Sequence, residues 1–307
     1  MKKIIIAIPH FYKYDPQAIY GSGLEKAESR AKVLRQTIVS LRQMFSLPHA
    51  YGHQMRDHKT GKIYIQYEPA DTEHIYDIDI CICTTAQDHL LEKLELPVDY
   101  YEHYIVDVND PMYLGFSCHQ VLKDHEGAYD YYCYMEDDLV IRDLFFFDKL
   151  AWFEQQFGTD CLLQPHRYMF AGSEPFAKEY LDYDFDISIP DWVDLQREDD
   201  LYLEAELLGR TIRFAKTKNP HSGCFFLSQK QYAKLCAQEK YPLLTDAFYG
   251  PLESAASLDI TRNFTVYKSD FSQASFLEID HIGRKPQRMS DSCYNREKFA
   301  KAGFHFT

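Results

Sequence analysis

Basic residues are scarce in this chain: 33 Lys and Arg stand against 47 Asp and Glu, a formal net charge of −14. That deficit argues against nucleic acid as a partner, because neutralising phosphates takes clustered cations, and against attraction to anionic membrane surfaces. No apolar run approaches the roughly 20 residues of a membrane span, so no transmembrane segment is expected. The N-terminal Ile4-Ile5-Ile6-Ala7-Ile8 stops at Pro9-His10. It is too short for the apolar core of a secretory leader and reads as a first strand. Only Cys81 and Cys83 lie close together among eight cysteines, and no second pair completes a zinc site. Most of the cysteines sit in apolar surroundings, as reduced thiols of a cytoplasmic protein do. Gly21-Ser22-Gly23 lacks the third glycine of a dinucleotide fingerprint. Internal repeats and low-complexity tracts are missing too.

What the chain does have is length and aromatic bulk. Its 307 residues suffice for one large domain, and 24 Tyr and 21 Phe supply large packing and stacking faces. Lys3 to Pro9 is the continuous apolar run of a central parallel strand. Ala31, Leu34, Ile38, Leu41 and Phe45 mark one face of a helix that ends before Pro48. Further strands are expected at Ile63–Tyr67, Tyr76–Cys83 and Tyr104–Val108, with a helix from about Thr85 to Leu94 and another after Asn109-Asp110-Pro111. His49, His53 and His58 fall in a polar stretch that reads as a solvated loop, with spacings that fit no firm metal rule. The second half predicts a helix ending at Gly158, a short strand at Cys161–Pro165 and a polar helix from Glu198 to Leu208. Further expected elements are a strand leading out of His221-Ser222-Gly223, a helix opening at Pro251, and a strand at Phe264–Lys268. Alternating strands and helices define an α/β fold with a mostly parallel central sheet flanked by helices, and a smaller second sheet.

The chain is organised around Tyr129-Asp130-Tyr131-Tyr132-Cys133-Tyr134-Met135-Glu136-Asp137-Asp138. A strand buried on both faces ends here in three adjacent carboxylates. Such a cluster repels itself and needs a cation or a wet crevice, and open α/β sheets bind ligands at the carboxyl ends of their strands. The triplet therefore reads as a divalent-metal and phosphate-ligand site, with a solvated acidic turn as its rival. A second Glu198-Asp199-Asp200 opens a polar segment and reads as structural. The acids Asp182, Asp184, Asp186, Asp191 and Asp194 alternate with aromatics and Ile in a stretch suited to gripping carbohydrate. Arg284, Lys285 and Arg288 form the one compact basic cluster.

Tyr134-Met135-Glu136-Asp137-Asp138 resembles the Glu-Asp-Asp variant of the D-x-D motif of GT-A-fold nucleotide-sugar glycosyltransferases. The resemblance implies a metal-dependent transfer of a sugar from a nucleoside diphosphate donor, a UDP-sugar above all, to a hydroxyl acceptor such as a glycan. It implies Mn²⁺ or Mg²⁺ held by Asp138, with Asp137 and Glu136 facing the ribose and diphosphate. A late histidine, matched by His281, completes the metal site. Pro9 and Phe11, at the end of the first strand, would line the nucleotide. Arg284, Lys285 and Arg288 would meet the diphosphate from a tail. Glu253, at a helix start, matches the catalytic acid, with Asp246 as its substitute. His221 to Ser228 is similar to the Gly-containing strand near donor and acceptor sugars. On this reading residues 1–142 are the nucleotide-binding half, 143–283 the acceptor half and 284–307 a basic tail. Two other readings stay open: a sugar nucleotidyltransferase, whose Gly-rich basic loop is replaced here by Pro9-His10-Phe11-Tyr12-Lys13, and a non-catalytic carbohydrate- or calcium-binding protein.

Overall fold

The structure is a computed structural model that describes residues 1–15, 26–170, 177–181, 202–248 and 250–283. Its centre is a five-stranded sheet. β1 (Lys3–Pro9) lies between β4 (Asp77–Thr84) and β6 (Tyr131–Met135), β5 (Glu102–Ile105) forms one edge and β13 (Cys224–Ser228) the other, in the order β13-β6-β1-β4-β5. The first four are mutually parallel, and β13 runs antiparallel to β6. The apolar run in β1 reflects this position: Ile4 to Ile8 are all fully buried. Ile4, Ile6 and Ile8 face one layer, with Leu34, Ile38, Leu41 and Phe45 of the first helix and its last turn. Ile5 and Ala7 face the opposite layer, with Phe116, Val121 and Leu122. Each such Ile or Leu contributes about 2 kcal/mol by leaving water.

The first helix, α1 (Ala27–Leu41), carries the expected apolar face and closes through a wide turn in which Leu47 N–H donates to the Arg42 carbonyl at 2.7 Å. α2 (Leu114–Asp124) follows a single turn at Pro111–Tyr113 in which the Asp110 side chain caps the Met112 N–H. α3 (Phe146–Phe157) stops at Gly158, whose φ of 86° suits glycine. α4 (Gln229–Cys236) starts from a reciprocal Ser228–Gln231 capping box, and α5 (Pro251–Asn263) has Pro at its first position.

The described fold also holds a two-stranded ribbon and two four-stranded sheets. One joins β7 (Leu139–Val140), β9 (His166–Phe170), β10 (Lys178–Tyr180) and β15 (Glu278–His281) in the order β10-β9-β15-β7. The other joins β8 (Cys161–Leu163), β11 (Tyr202–Leu207), β12 (Arg210–Lys216) and β14 (Thr265–Ser269) in the order β11-β12-β14-β8. The architecture is mixed α/β with a mostly parallel central sheet. Among the described residues no helix is long and apolar enough to cross a membrane.

Four local expectations are corrected. The histidine-bearing stretch is a strand at His49 and His53, β2 (His49–Arg56) pairing along its whole length with β3 (Ile63–Ala70), and only His58 lies in the turn between them. The expected polar helix to Leu208 is instead strand β11, because Leu208 and Gly209 take φ of 50° and 71° and turn the chain straight back into β12. The segment before Leu94 forms one 3₁₀ turn, Leu91–Lys93, in place of a full helix. β5 begins at Glu102 and ends at Ile105, short of the expected Val108. Glu198-Asp199-Asp200, the acids from Asp182 to Asp194, Gly21-Ser22-Gly23 and the basic tail lie outside the described residues.

Candidate metal centre

The sheet order fixes where a ligand site belongs. From β1 the chain moves outward to β4 and β5, then returns to place β6 on the other flank of β1. The reversal makes the carboxyl ends of β1 and β6 a topological switch point, the position at which open α/β sheets bind ligands. His10 follows β1 there, and Glu136-Asp137-Asp138 follow β6.

The three acids divide by partner. Asp137 turns inward. Its Oδ2 takes a 2.5 Å hydrogen bond from His10 Nδ1, its Oδ1 accepts from Arg30 Nη2 at 2.7 Å, and Thr37 Oγ1 donates to its carbonyl at 3.1 Å. Because Leu90 N–H donates to His10 Nε2, the proton shared with Asp137 resides on Nδ1. Burial alone would raise the Asp137 carboxyl, but Arg30 and His10 outweigh it and hold it down at about 2. Arg30 comes from the buried face of α1 and its Nη1 also lies 3.6 Å from Asp138.

Glu136 and Asp138 also reach the second sheet. Asp138 Oδ1 stands 3.6 Å from His281 Nε2, and Glu136 Oε2 pairs with Arg167 Nη1 at 3.3 Å. One ligand atom each from Glu136, Asp138 and His281 lie mutually within 4.8 Å. Oxygen and imidazole donors bound to one octahedral ion at about 2.1 Å are about 3 Å apart when adjacent and about 4 Å when opposite, so small side-chain adjustments suffice. The donor set fits Mn²⁺, which accepts imidazole, and less closely Mg²⁺, which prefers oxygen. Burial and the nearby charges of Asp138, Asp137 and Glu253 push the Glu136 carboxyl up to about 7, with Arg167 opposing. A divalent cation would relieve that strain.

Backbone pairing pins the triplet from both sides. Glu136 N–H donates to the Gly223 carbonyl at 2.9 Å, and Ile282 N–H donates to the Asp138 carbonyl at 2.8 Å. Gly223 has φ of 63°, and a Cβ there would stand 2.7 Å from the Glu136 Cδ and 3.1 Å from Arg167 Nη1. The left-handed backbone therefore favours glycine, and a Cβ there would push the Glu136 carboxylate aside.

Of the remaining expected residues, Glu253 is the one whose charge is shown to act on this centre. Glu253 sits half-buried in the first turn of α5, close enough for its charge to act on Glu136 and Tyr134. Asp246 is exposed in the loop between α4 and α5. Pro9 ends β1, and the half-buried Phe11 packs against the core layer containing α2; it is His10, between them, that reaches the acids. His221 contacts Ser257 through Nδ1 at 3.2 Å, and its carbonyl accepts from Lys268. Arg284, Lys285 and Arg288 are outside the described residues. Sequence reasoning missed His10, Arg30 and Arg167. The signal for Arg30 was present: it adjoins Ala31 on the apolar face of α1, and a cation there demands a buried anion.

Comparison with known proteins found no matching family model and no matching curated protein.

Proposed function

We propose that the protein is a metal-dependent glycosyltransferase on a GT-A-like framework, moving a sugar from a nucleoside diphosphate donor to a hydroxyl acceptor. The observation that carries this reading is the Glu136–Asp138–His281 cluster beside the switch point at the carboxyl ends of β1 and β6. A bound Mn²⁺ or Mg²⁺ supplies the positive charge that steadies a departing diphosphate. Asp138 and His281 hold the ion, with Glu136 as a third donor. Asp137 holds Arg30 and His10 in place and so keeps Asp138 turned toward the ion. Pro9 and Phe11 border the nucleotide side, and Arg284, Lys285 and Arg288 add cations for the diphosphate. Glu253 takes the acceptor proton if configuration inverts, with Asp246 the more remote candidate. A reducing compartment such as the cytoplasm agrees with the seven described cysteines, all unbridged.

The test is calorimetric titration of UDP with and without Mn²⁺, on the parent and on Asp138→Ala. UDP binding that needs Mn²⁺ and disappears in the variant is the expected result. Equal binding of metal and UDP by both proteins would overturn the site. A panel of nucleotide sugars, scored for slow Mn²⁺-dependent hydrolysis, then identifies the donor. Metal binding with no nucleotide affinity and no hydrolysis would replace the transferase with a calcium- or carbohydrate-binding role.

A further inference from the structure

β2 and β3 form a two-stranded ribbon that pairs with no other strand among the described residues. From Ala50 to Pro69 every residue but Asp57 is exposed, including Tyr51 (74%), Ile65 (59%) and Tyr67 (69%). The ribbon is nonetheless a built element. The Asp57 carboxylate accepts from Lys59 N–H at 2.8 Å and from Thr60 Oγ1 at 2.7 Å, which fixes the tip. A lone two-stranded ribbon is marginal in water, and an open apolar strand edge is a template for another chain.

We propose that the open edge of β3 is a self-association site, pairing antiparallel with β3 of a second copy about a two-fold axis at Ile65. The argument is complementarity of the strand with itself. In that register Lys62 stands opposite Glu68 of the second copy, Ile63 opposite Tyr67, Tyr64 opposite Gln66, and Ile65 opposite itself. Ile63, Ile65 and Tyr67 of both copies then form one continuous apolar row on one face, because alternate residues of a strand share a face. On the opposite face Lys62, the residue before β3, meets Glu68 of the second copy at each end of the pairing, as a two-fold interface requires. The open edge of β2 fails the same test: His49 to Arg56 contains no acid to answer Arg56. The partner is thus a second copy of this chain, joined through β3.

Sedimentation equilibrium of the full chain tests this. The parent should dimerise, and Lys62→Glu or Glu68→Lys alone, which place like charges opposite each other, should weaken the dimer by about tenfold. The double exchange restores opposite charges and should restore affinity. Ile65→Cys should give a disulfide-linked dimer under mild oxidation that the parent does not, since residues opposite each other in an antiparallel pair have Cα atoms about 5 Å apart. All these positions are exposed, and circular dichroism confirms folding. A monomeric parent, single variants that dimerise as well as the parent, a double variant no better than the singles, or a dimer without the cross-link would each overturn the proposal.

Discussion

Arg30→Met removes the cation on which the acidic triplet depends. In the parent the Arg30 side chain is only 7% exposed and binds Asp137, itself 13% exposed, at 2.7 Å. Breaking a buried pair on one side leaves an uncompensated charge and costs about 3–5 kcal/mol. For a chain of this size that lowers Tm by roughly 5–8 °C. The loss has a pH signature. In the parent the Asp137 carboxyl is held at about 2, below its ordinary 3.8. Its contribution is therefore present above about pH 4 and lost as pH falls through 2, and amounts to about 2 kcal/mol. In the variant burial of Asp137 acts unopposed by Arg30, so the carboxylate destabilises the fold at neutral pH and is relieved as acid protonates it. The gap between parent and variant in urea unfolding should accordingly narrow from pH 7 to pH 4. Adding Asp137→Asn to Arg30→Met should recover part of the loss at pH 7. A gap that is equal at the two pH values, or smaller than about 1 kcal/mol at pH 7, would refute the reading of Arg30 as the counter-charge of the triplet.

Asp137→Asn alone should lower stability yet keep most of the Mn²⁺ affinity, whereas Asp138→Asn should do the reverse; calorimetry and thermal melts on the two variants separate the roles. Gly223→Ala should cost about 1 kcal/mol from its left-handed backbone and displace Glu136, so Mn²⁺ affinity should fall further than stability does. An unchanged affinity would show that Glu136 is not a ligand. His119 is fully buried against Tyr134, Phe225 and Tyr241, its Nε2 donating to the Ala255 carbonyl, and burial pushes it down to about 4. The unfolded chain binds that proton first, so stability is full above about pH 6.5 and falls toward pH 4 by about 3 kcal/mol. His119→Phe should flatten that slope in urea titrations.

The parts of the fold legible in the sequence are those whose pattern is local. β1, the face of α1, the stop at Gly158 and the strand running into Glu136 each follow from residues within one element. The corrected elements are those decided by distant pairing. Tyr202–Leu207 consists of good helix formers, but a two-residue turn at Leu208-Gly209 zips it onto β12, and pairing overrides propensity. His49–Arg56 is polar and holds Gly52, and it is a strand only because β3 lies beside it. The site shows the same division. Asp138 could be named from a strand end and His281 from the family resemblance, whereas the partners of Asp137 are 127 and 107 residues away. No window on the sequence brings them together.

The placement of the triplet also accounts for why adjacent acids can differ in role. β6 belongs to the central sheet, and β7, only three residues later, belongs to the sheet of β9 and β15. Glu136, Asp137 and Asp138 are thus the corner at which the chain passes from one sheet to the other. Glu136 is tied by backbone to Gly223 beside β13, and Asp138 to Ile282 beyond β15. With the backbone held at both ends, successive side chains leave on different sides. Asp137 meets α1 and the end of β1, Asp138 lies between Arg30 of α1 and His281 of the second sheet, and Glu136 meets Arg167 of the second sheet. The candidate metal ligands therefore come from both sheets, and neither sheet could supply them alone. Any substitution that loosens the pairing of β7 with β15 should weaken metal binding before it unfolds the central sheet, an order that hydrogen exchange of β15 and β1 amides would reveal.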